Sequence, residues 1–329
     1  MAFLSLPARS VAAAAVAIAS AIPVGACTSA GAAVSPARSV AAAAASRGTS
    51  IAGWPMPGQA TTTSFIPVLA SAENVVGNDR LLLTLVDRDN RPLASPDRAV
   101  TLRFYDPAAD AAAPAETVTA DFVWAIEGER GFYIATATFD RAGEWGVEVD
   151  VAQAGAAPEA ARVRFDVQEK GTTIGAGDRA PSVTTLTLAD AGGDVARIST
   201  DPKPDPDLYR TSVATALAAR EPFVLVFATP VFCQSRVCGP MLEVVKRVKA
   251  GEPGVTFINV EPYTLEWRDG SLKPVLDANG QLSPVPAVNA YGLLVEPWIF
   301  VIDRDGVVTA SFEAVVSEKE LLAAVDAVK

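Results

Sequence analysis

Two cysteines, Cys233 and Cys238, stand five positions apart in FATPVFCQSRVCGP (227–240), where an apolar run gives way to a helical pattern. Thiols at that spacing can exchange disulfides with a client, clamp a soft metal ion, or close a structural staple. Composition narrows what surrounds them. The chain of 329 residues contains no histidine, which removes Ser-His and Cys-His nucleophile pairs and the commonest ligand of catalytic zinc. Chemistry is left to thiols, carboxylates, lysines and hydroxyls. With 27 basic against 38 acidic residues, the surface is poorly suited to a phosphate backbone. No nucleic-acid partner is expected, and no resident metal or cofactor.

An α-helix sets Cα atoms five apart at roughly 8.6 Å, from its rise and radius, whereas a disulfide needs about 4.4 to 6.8 Å. A bond between Cys233 and Cys238 therefore requires Gln234 to Val237 to leave the helix, with regular helix starting near Cys238 or Gly239. A cysteine at a helix N-terminus faces unpaired N–H groups and the positive end of the dipole, which favours its thiolate; Arg236 would add to that field. Cys233, on the loop side, is expected to be the exposed attacking thiol and Cys238, at the start of the helix, the resolving one. An inert staple is the competing reading of the pair.

The opening stretch, MAFLSLPARSVAAAAVAIASAIPVGAC, has one arginine followed by an alanine-rich apolar run too short for a permanent span. Residues 1–26 read as an export signal. Val24-Gly25-Ala26-Cys27 resembles the lipobox of bacterial lipoproteins, which implies a lipidated Cys27 and a membrane anchor on the outer face of the cell. With Cys27 so used, Cys233 and Cys238 are what remains of three cysteines, in a compartment where disulfides persist. Residues 27–60 are low in complexity and read as a flexible tether.

From 61 to 170 the pattern becomes strand-like. LLLTLVD (81–87), AVTLRFYD (99–106), GFYIATATFD (131–140), GEWGVEVDV (143–151) and ARVRFDVQE (161–169) alternate with period two and are rich in strand-forming residues. Turn signals separate them. This predicts an antiparallel β-sandwich that folds as its own unit, with Tyr133 and Trp145 in its core. The run from Gly131-Phe132-Tyr133 to Gly143-Glu144-Trp145 resembles a hairpin of immunoglobulin-like domains in bacterial envelope accessory proteins. Residues 171–210, including the proline-rich ISTDPKPDPDLYR (198–210), read as a linker without packed structure.

The last segment, 211–329, orders its elements as helix SVATALAAR, buried strand FVLVFA, the cysteine turn, helix GPMLEVVKRVKA, strand VTFINV, a long loop, strand WIFVID, strand VVTASF and a final helix opened by Ser317 and Glu320 at capping-box spacing. This resembles the thioredoxin fold, from about Asp178 to Lys329, so the fold class expected is an α/β thioredoxin-like domain behind an all-β immunoglobulin-like sandwich. The resemblance implies that Cys233 is the nucleophile, that Pro240 is the proline kinking the next helix, and that Pro297 is the cis-proline facing the thiols, across an X-Pro bond whose cis form is accessible. The usual pair is C-x-x-C with Gly-Pro between the cysteines, whereas here four residues intervene and Gly239-Pro240 follows the second; an alternative alignment to the family makes Cys238 the attacking thiol with Met241 in its partner's place.

Peroxiredoxins also carry Thr-Pro near the cysteine, as in Thr229-Pro230, but their motif needs Thr or Ser three before it, and Pro230 stands there. Copper-delivering relatives carry a widened cysteine pair plus a distal histidine, which this chain lacks; copper(I) on two thiolates alone stays open. The whole resembles an envelope lipoprotein of actinobacterial type. Its expected activity is thiol-disulfide exchange on the thiols or disulfides of envelope proteins. The alternative is a non-catalytic binding or assembly factor with a structural disulfide.

Overall fold

The computed structural model describes residues 53–55 and 62–329, so the leader, Cys27 and most of the expected tether fall outside the described residues. Eight strands come first: β1 (Ile66–Leu69), β2 (Gly77–Val86), β3 (Arg98–Tyr105), β4 (Glu116–Thr119), β5 (Asp121–Ile126), β6 (Arg130–Phe139), β7 (Gly143–Gln153) and β8 (Glu159–Val167). They make two four-stranded sheets, ordered β1-β2-β6-β5 and β4-β3-β7-β8, with every neighbouring pair antiparallel. The five alternating segments lie in β2, β3, β6, β7 and β8. Between the sheets pack Leu81, Leu83 and Leu85 of β2, Tyr133 and Phe139 of β6, Phe104 of β3, and Trp145, Val147 and Val149 of β7. The polar tips of the two large rings are satisfied, as burial demands. Tyr133 donates to the Ser95 carbonyl at 2.9 Å, and the Trp145 indole donates to the Arg141 carbonyl at 3.1 Å.

Period two sends the intervening residues of β2 and β6 to the opposite face, and three of these are large and apolar among polar neighbours such as Arg80 and Thr136. Leu82, Phe132 and Ile134, with Ala125 of β5, join a second cluster built mainly by the C-terminal half. The expected self-contained sandwich is therefore corrected: one of its sheets is covered on both sides.

The C-terminal half runs α1 (Val213–Ala219), β9 (Phe223–Phe227), α2 (Cys238–Gly251), β10 (Thr256–Val260), β11 (Leu265–Arg268), β12 (Ser271–Pro274), α3 (Pro286–Tyr291), β13 (Trp298–Ile302), β14 (Val308–Glu313) and α4 (Glu318–Asp326). Its sheet is ordered β10-β9-β13-β14, with β10 and β9 parallel and the other pairs antiparallel. All five residues of β9 are buried, because both faces are covered. Val224 and Val226 point toward the cluster shared with α2, α4 and the sandwich. Phe223, Leu225 and Phe227 point toward α1 and α3. The chain as described is β-rich with four α-helices, none long and apolar enough to cross a membrane.

Residues 171–210 are not a linker. Gly177 and Ala180 donate to the carbonyls of Val308 and Gly306, Val308 donates back to Asp178, and Ile198, Leu208 and Tyr209 are buried at 8, 1 and 2 % exposure. The prolines and aspartates that suggested solvent exposure instead cap and anchor. Asp205 accepts the Asp207 N–H at the start of a 3-10 turn, Pro206–Tyr209, and Lys246 and Lys249 of α2 pair with Asp201 and Asp205 at 2.8 and 2.9 Å. The region expected to be a long loop also holds structure, the β11–β12 hairpin and α3. α3 ends at Gly292, whose φ of 67° suits glycine. A side chain there would collide with the Thr172 carbonyl, so this glycine also holds the 171–210 segment close.

Candidate functional site

The cysteine turn is built by hydrogen bonds that bend the chain out of β9 and into α2. The Cys233 N–H donates to the Thr229 carbonyl at 3.0 Å and the Arg236 N–H to the Cys233 carbonyl at 3.3 Å, with Arg236 at a φ of 64°. That left-handed residue reverses the chain so that α2 begins at Cys238. Cys233 and Cys238 form a disulfide with their Cα atoms 6.1 Å apart, inside the bonding range and short of the helical spacing.

Val237, which precedes α2, offers no capping side chain. The Cys238 N–H instead donates to Cys233 Sγ at 3.3 Å. Cys233 sulfur thus occupies the place of a helix cap, where first-turn N–H groups favour negative charge. Ser235 Oγ lies 3.2 Å from the same sulfur and bonds the Glu296 carbonyl at 3.4 Å. Pro240 falls in the first turn of α2, where its missing N–H would have lacked an intrahelical partner anyway. It therefore breaks no bond, and the expected kink has no cause there.

Pro297 follows a cis Glu296–Pro297 bond immediately before β13. Its neighbour Glu296 brings a carboxylate to the sulfurs: one of its oxygens and the two Sγ atoms all lie within 4.8 Å of one another. The Tyr263 hydroxyl donates to Glu296 at 2.8 Å. Burial pushes the Glu296 carboxyl above the ordinary carboxylate range, with the Tyr263 hydroxyl and the Gln234 N–H pulling the other way. Burial and the Glu296 carboxylate also push the Tyr263 phenol upward. Reduced, the trio would offer two thiolates and a carboxylate; a soft ion such as copper(I) suits the sulfurs and not the hard oxygen.

The expected exposure of Cys233 is corrected. Cys233 is 8 % exposed and Cys238 is fully buried, because both turn and helix start sit in the apolar cluster shared with the sandwich. Arg236 is exposed and makes no side-chain hydrogen bond or ion pair among the described residues. Thr229 is fully buried; its hydroxyl lies 3.4 Å from that of Thr200. Met241 is 1 % exposed and its sulfur accepts the Val316 N–H at 3.4 Å, which occupies it away from Cys238.

Sequence reasoning missed Glu296, Tyr263, Ser235 and Arg130. Arg130, at the start of β6, donates to the Ser235 carbonyl at 2.6 Å and ties the sandwich to the cysteine turn. A carboxylate beside the proline was visible as Glu296-Pro297; the other partners come from distant segments with no local signal.

No protein-family model and no curated protein matches this chain. Among solved structures, similarity is found to a DUF4426 family protein from Pseudomonas aeruginosa PAO1, with 11 % identity over 29 % of this chain and 77 % of that one, TM-score 0.21. An engineered protein is similar with 10 % identity, over 32 % of this chain and only 20 % of its own length, TM-score 0.21.

Proposed function

We propose that this is an exported thiol-disulfide exchange protein of the envelope, anchored through lipidated Cys27, with a thioredoxin-like C-terminal half behind an immunoglobulin-like sandwich. The observation that carries the exchange reading is the Cys238 N–H on Cys233 Sγ at an uncapped helix start. Such a sulfur is stabilised as an anion, both as attacking group and as leaving group. The sheet order β10-β9-β13-β14 and the turn between β9 and α2, with Pro297 opening the neighbouring β13, support the fold reading. Val231, Leu294 and Val295 are exposed apolar residues flanking the turn and Glu296 in sequence, suited to an unfolded or extended client.

In the reducing direction, the Cys233 thiolate attacks one sulfur of a client disulfide; that bond breaks and the other client sulfur leaves as a thiolate. Cys238 then loses its proton to Glu296 and attacks Cys233 Sγ. The client's second thiolate departs, both client sulfurs are reduced, and Cys233–Cys238 is oxidised by the same two electrons. Run backward, the disulfide present here oxidises a client dithiol.

The low exposure of both cysteines favours a second reading, a structural staple. One experiment separates them. Cys238→Ser should accumulate mixed disulfides with envelope proteins, Cys233→Ser should not, and the wild-type pair should equilibrate with glutathione in a gel-shift alkylation assay. A pair that stays oxidised in excess glutathione, with no trapped client, would leave the staple.

A further inference from the structure

Exchange at this site includes a step that the sulfurs cannot perform alone. Cys238 is fully buried, and before it can close on Cys233 its thiol must give up a proton. The chain has no histidine to take it. The carboxylate that lies within 4.8 Å of both sulfurs is that of Glu296. Burial works against its use as a base, because it pushes the Glu296 carboxyl toward the neutral form, and a neutral carboxyl accepts no proton.

Tyr263 opposes that push. Its hydroxyl donates to Glu296 Oε2 at 2.8 Å, and a hydrogen bond to the ionised form favours that form. Burial and Glu296 both raise the phenol, so it keeps its proton and donates throughout the neutral range. The backbone around it is paired: Val285 donates to the Pro262 carbonyl at 2.9 Å, Thr264 to the Ser283 carbonyl at 2.8 Å, and Val275 to the Thr264 carbonyl at 2.9 Å. Glu296 is held at its other end, where its carbonyl accepts from Ser235 Oγ at 3.4 Å. The cysteine turn adds the Gln234 N–H to the groups acting on the carboxyl. Of the nearby cations in the turn and in β6, Arg236 is exposed and Arg130 is engaged with the Ser235 carbonyl.

We infer that Tyr263 is a positioning residue for thiol-disulfide exchange, holding the Glu296 carboxylate in place to take the Cys238 proton. This rests on the exchange reading above and names what tunes its second step. With oxidised glutathione as the small disulfide, the Cys233 thiolate forms a mixed disulfide and one glutathione thiolate leaves. The Cys238 proton then passes to Glu296 as the Cys238 sulfur bonds Cys233 Sγ, and the second glutathione thiolate leaves. The protein dithiol loses two electrons and glutathione disulfide gains them.

The test mixes the reduced full-length protein with excess oxidised glutathione, quenches it with acid at intervals, and separates glutathionylated Cys233 from the closed pair by peptide mass. In the wild type, closure should quicken with pH and level off as Glu296 ionises. Tyr263→Phe keeps the ring and removes only the hydroxyl. It should move that midpoint up by about one pH unit, so that closure is about tenfold slower below the midpoint and matches the wild type above it. Glu296→Gln should flatten the rise. The Tyr263 role is overturned if the Phe variant keeps the wild-type midpoint, if it slows closure equally at every pH, as a merely structural role would, or if Glu296→Gln leaves the rise intact. A wild type that takes up no glutathione at all overturns the exchange reading itself, and the role of Tyr263 with it.

Discussion

The two sheets of the sandwich share a core and differ on their outer faces. On β4-β3-β7-β8 the outer face is a lattice of charges: Arg103 bridges Glu148 and Asp150 at 2.7 Å each, Arg162 meets Glu148 at 2.5 Å, and Arg164 pairs with Glu144. On β1-β2-β6-β5 the equivalent positions are Leu82, Phe132 and Ile134, and they continue into the cluster that holds Cys233, Cys238 and α2. One sheet carries a charged outer face that reaches solvent at Arg103, although Arg164 and Tyr105 on it are buried; the other is an internal layer. The difference shows that the sandwich is part of the cysteine site's support, which is also why Arg130 can reach the Ser235 carbonyl.

The comparison breaks most visibly at Leu82. A carboxylate buried there by Leu82→Asp should cost about 4 kcal/mol or more, and urea unfolding should show the whole chain losing stability in one transition. A transition that leaves the cysteine half unchanged would mean the two clusters are separate. Next in size is a pH effect at the same junction, where burial lifts Asp79 to about 6 and Glu313 to about 7, with the Asp79 charge adding to the rise at Glu313. Below about pH 3 both folded and unfolded chains hold these protons. As pH rises toward 7 the unfolded chain releases them first, so the folded state loses stability through that window. Asp79→Asn with Glu313→Gln should therefore gain about 3 kcal/mol on the wild type between pH 5 and 8, read as a difference in melting free energy.

Glu320 tests the junction from the helix side. It closes the capping box with Ser317 at the start of α4 and also pairs with Arg80 of β2 at 3.1 Å. Glu320→Ala should cost about 1 to 2 kcal/mol, and a double-mutant cycle with Arg80→Ala should assign part of that loss to the pair. The smallest effect belongs to the solvent face: Arg103→Ala should cost less than about 1 kcal/mol, and the loss should shrink further in concentrated salt.

Much of the strand pattern was legible because period two is strongest where one face is wet. In GEWGVEVDV of β7, half-buried Glu148 and Asp150 alternate with buried Val147, Val149 and Val151. LLLTLV and FVLVF read as strands too, but an apolar residue does not declare which neighbour it will touch, so the second cluster stayed hidden. β11–β12 carries a local signal, Asp269-Gly270 with both φ positive, masked by the charges around it. The proline-rich 198–210 segment misled because its aspartates act as caps and ion-pair partners. At the site, Cys233 and Cys238 stand out by their spacing, and Pro297 was pointed to by the thioredoxin resemblance. Arg130 could not be named, being 105 residues from the carbonyl it binds, and neither could the pairing of Glu296 with Tyr263.

The doubly covered sheet also sets an order of events when the chain is made or exported from its N-terminus. β2 and β6 are complete once Phe139 has emerged, and with them the band of Leu82, Phe132 and Ile134. Its cover includes Val316, Leu321 and Val325 at the far C-terminus. From that point until the C-terminus is made, the first half presents an apolar sheet face with nothing to close it, a state prone to association with other chains. A holding chaperone would find its grip there, and would lose it when α4 arrives.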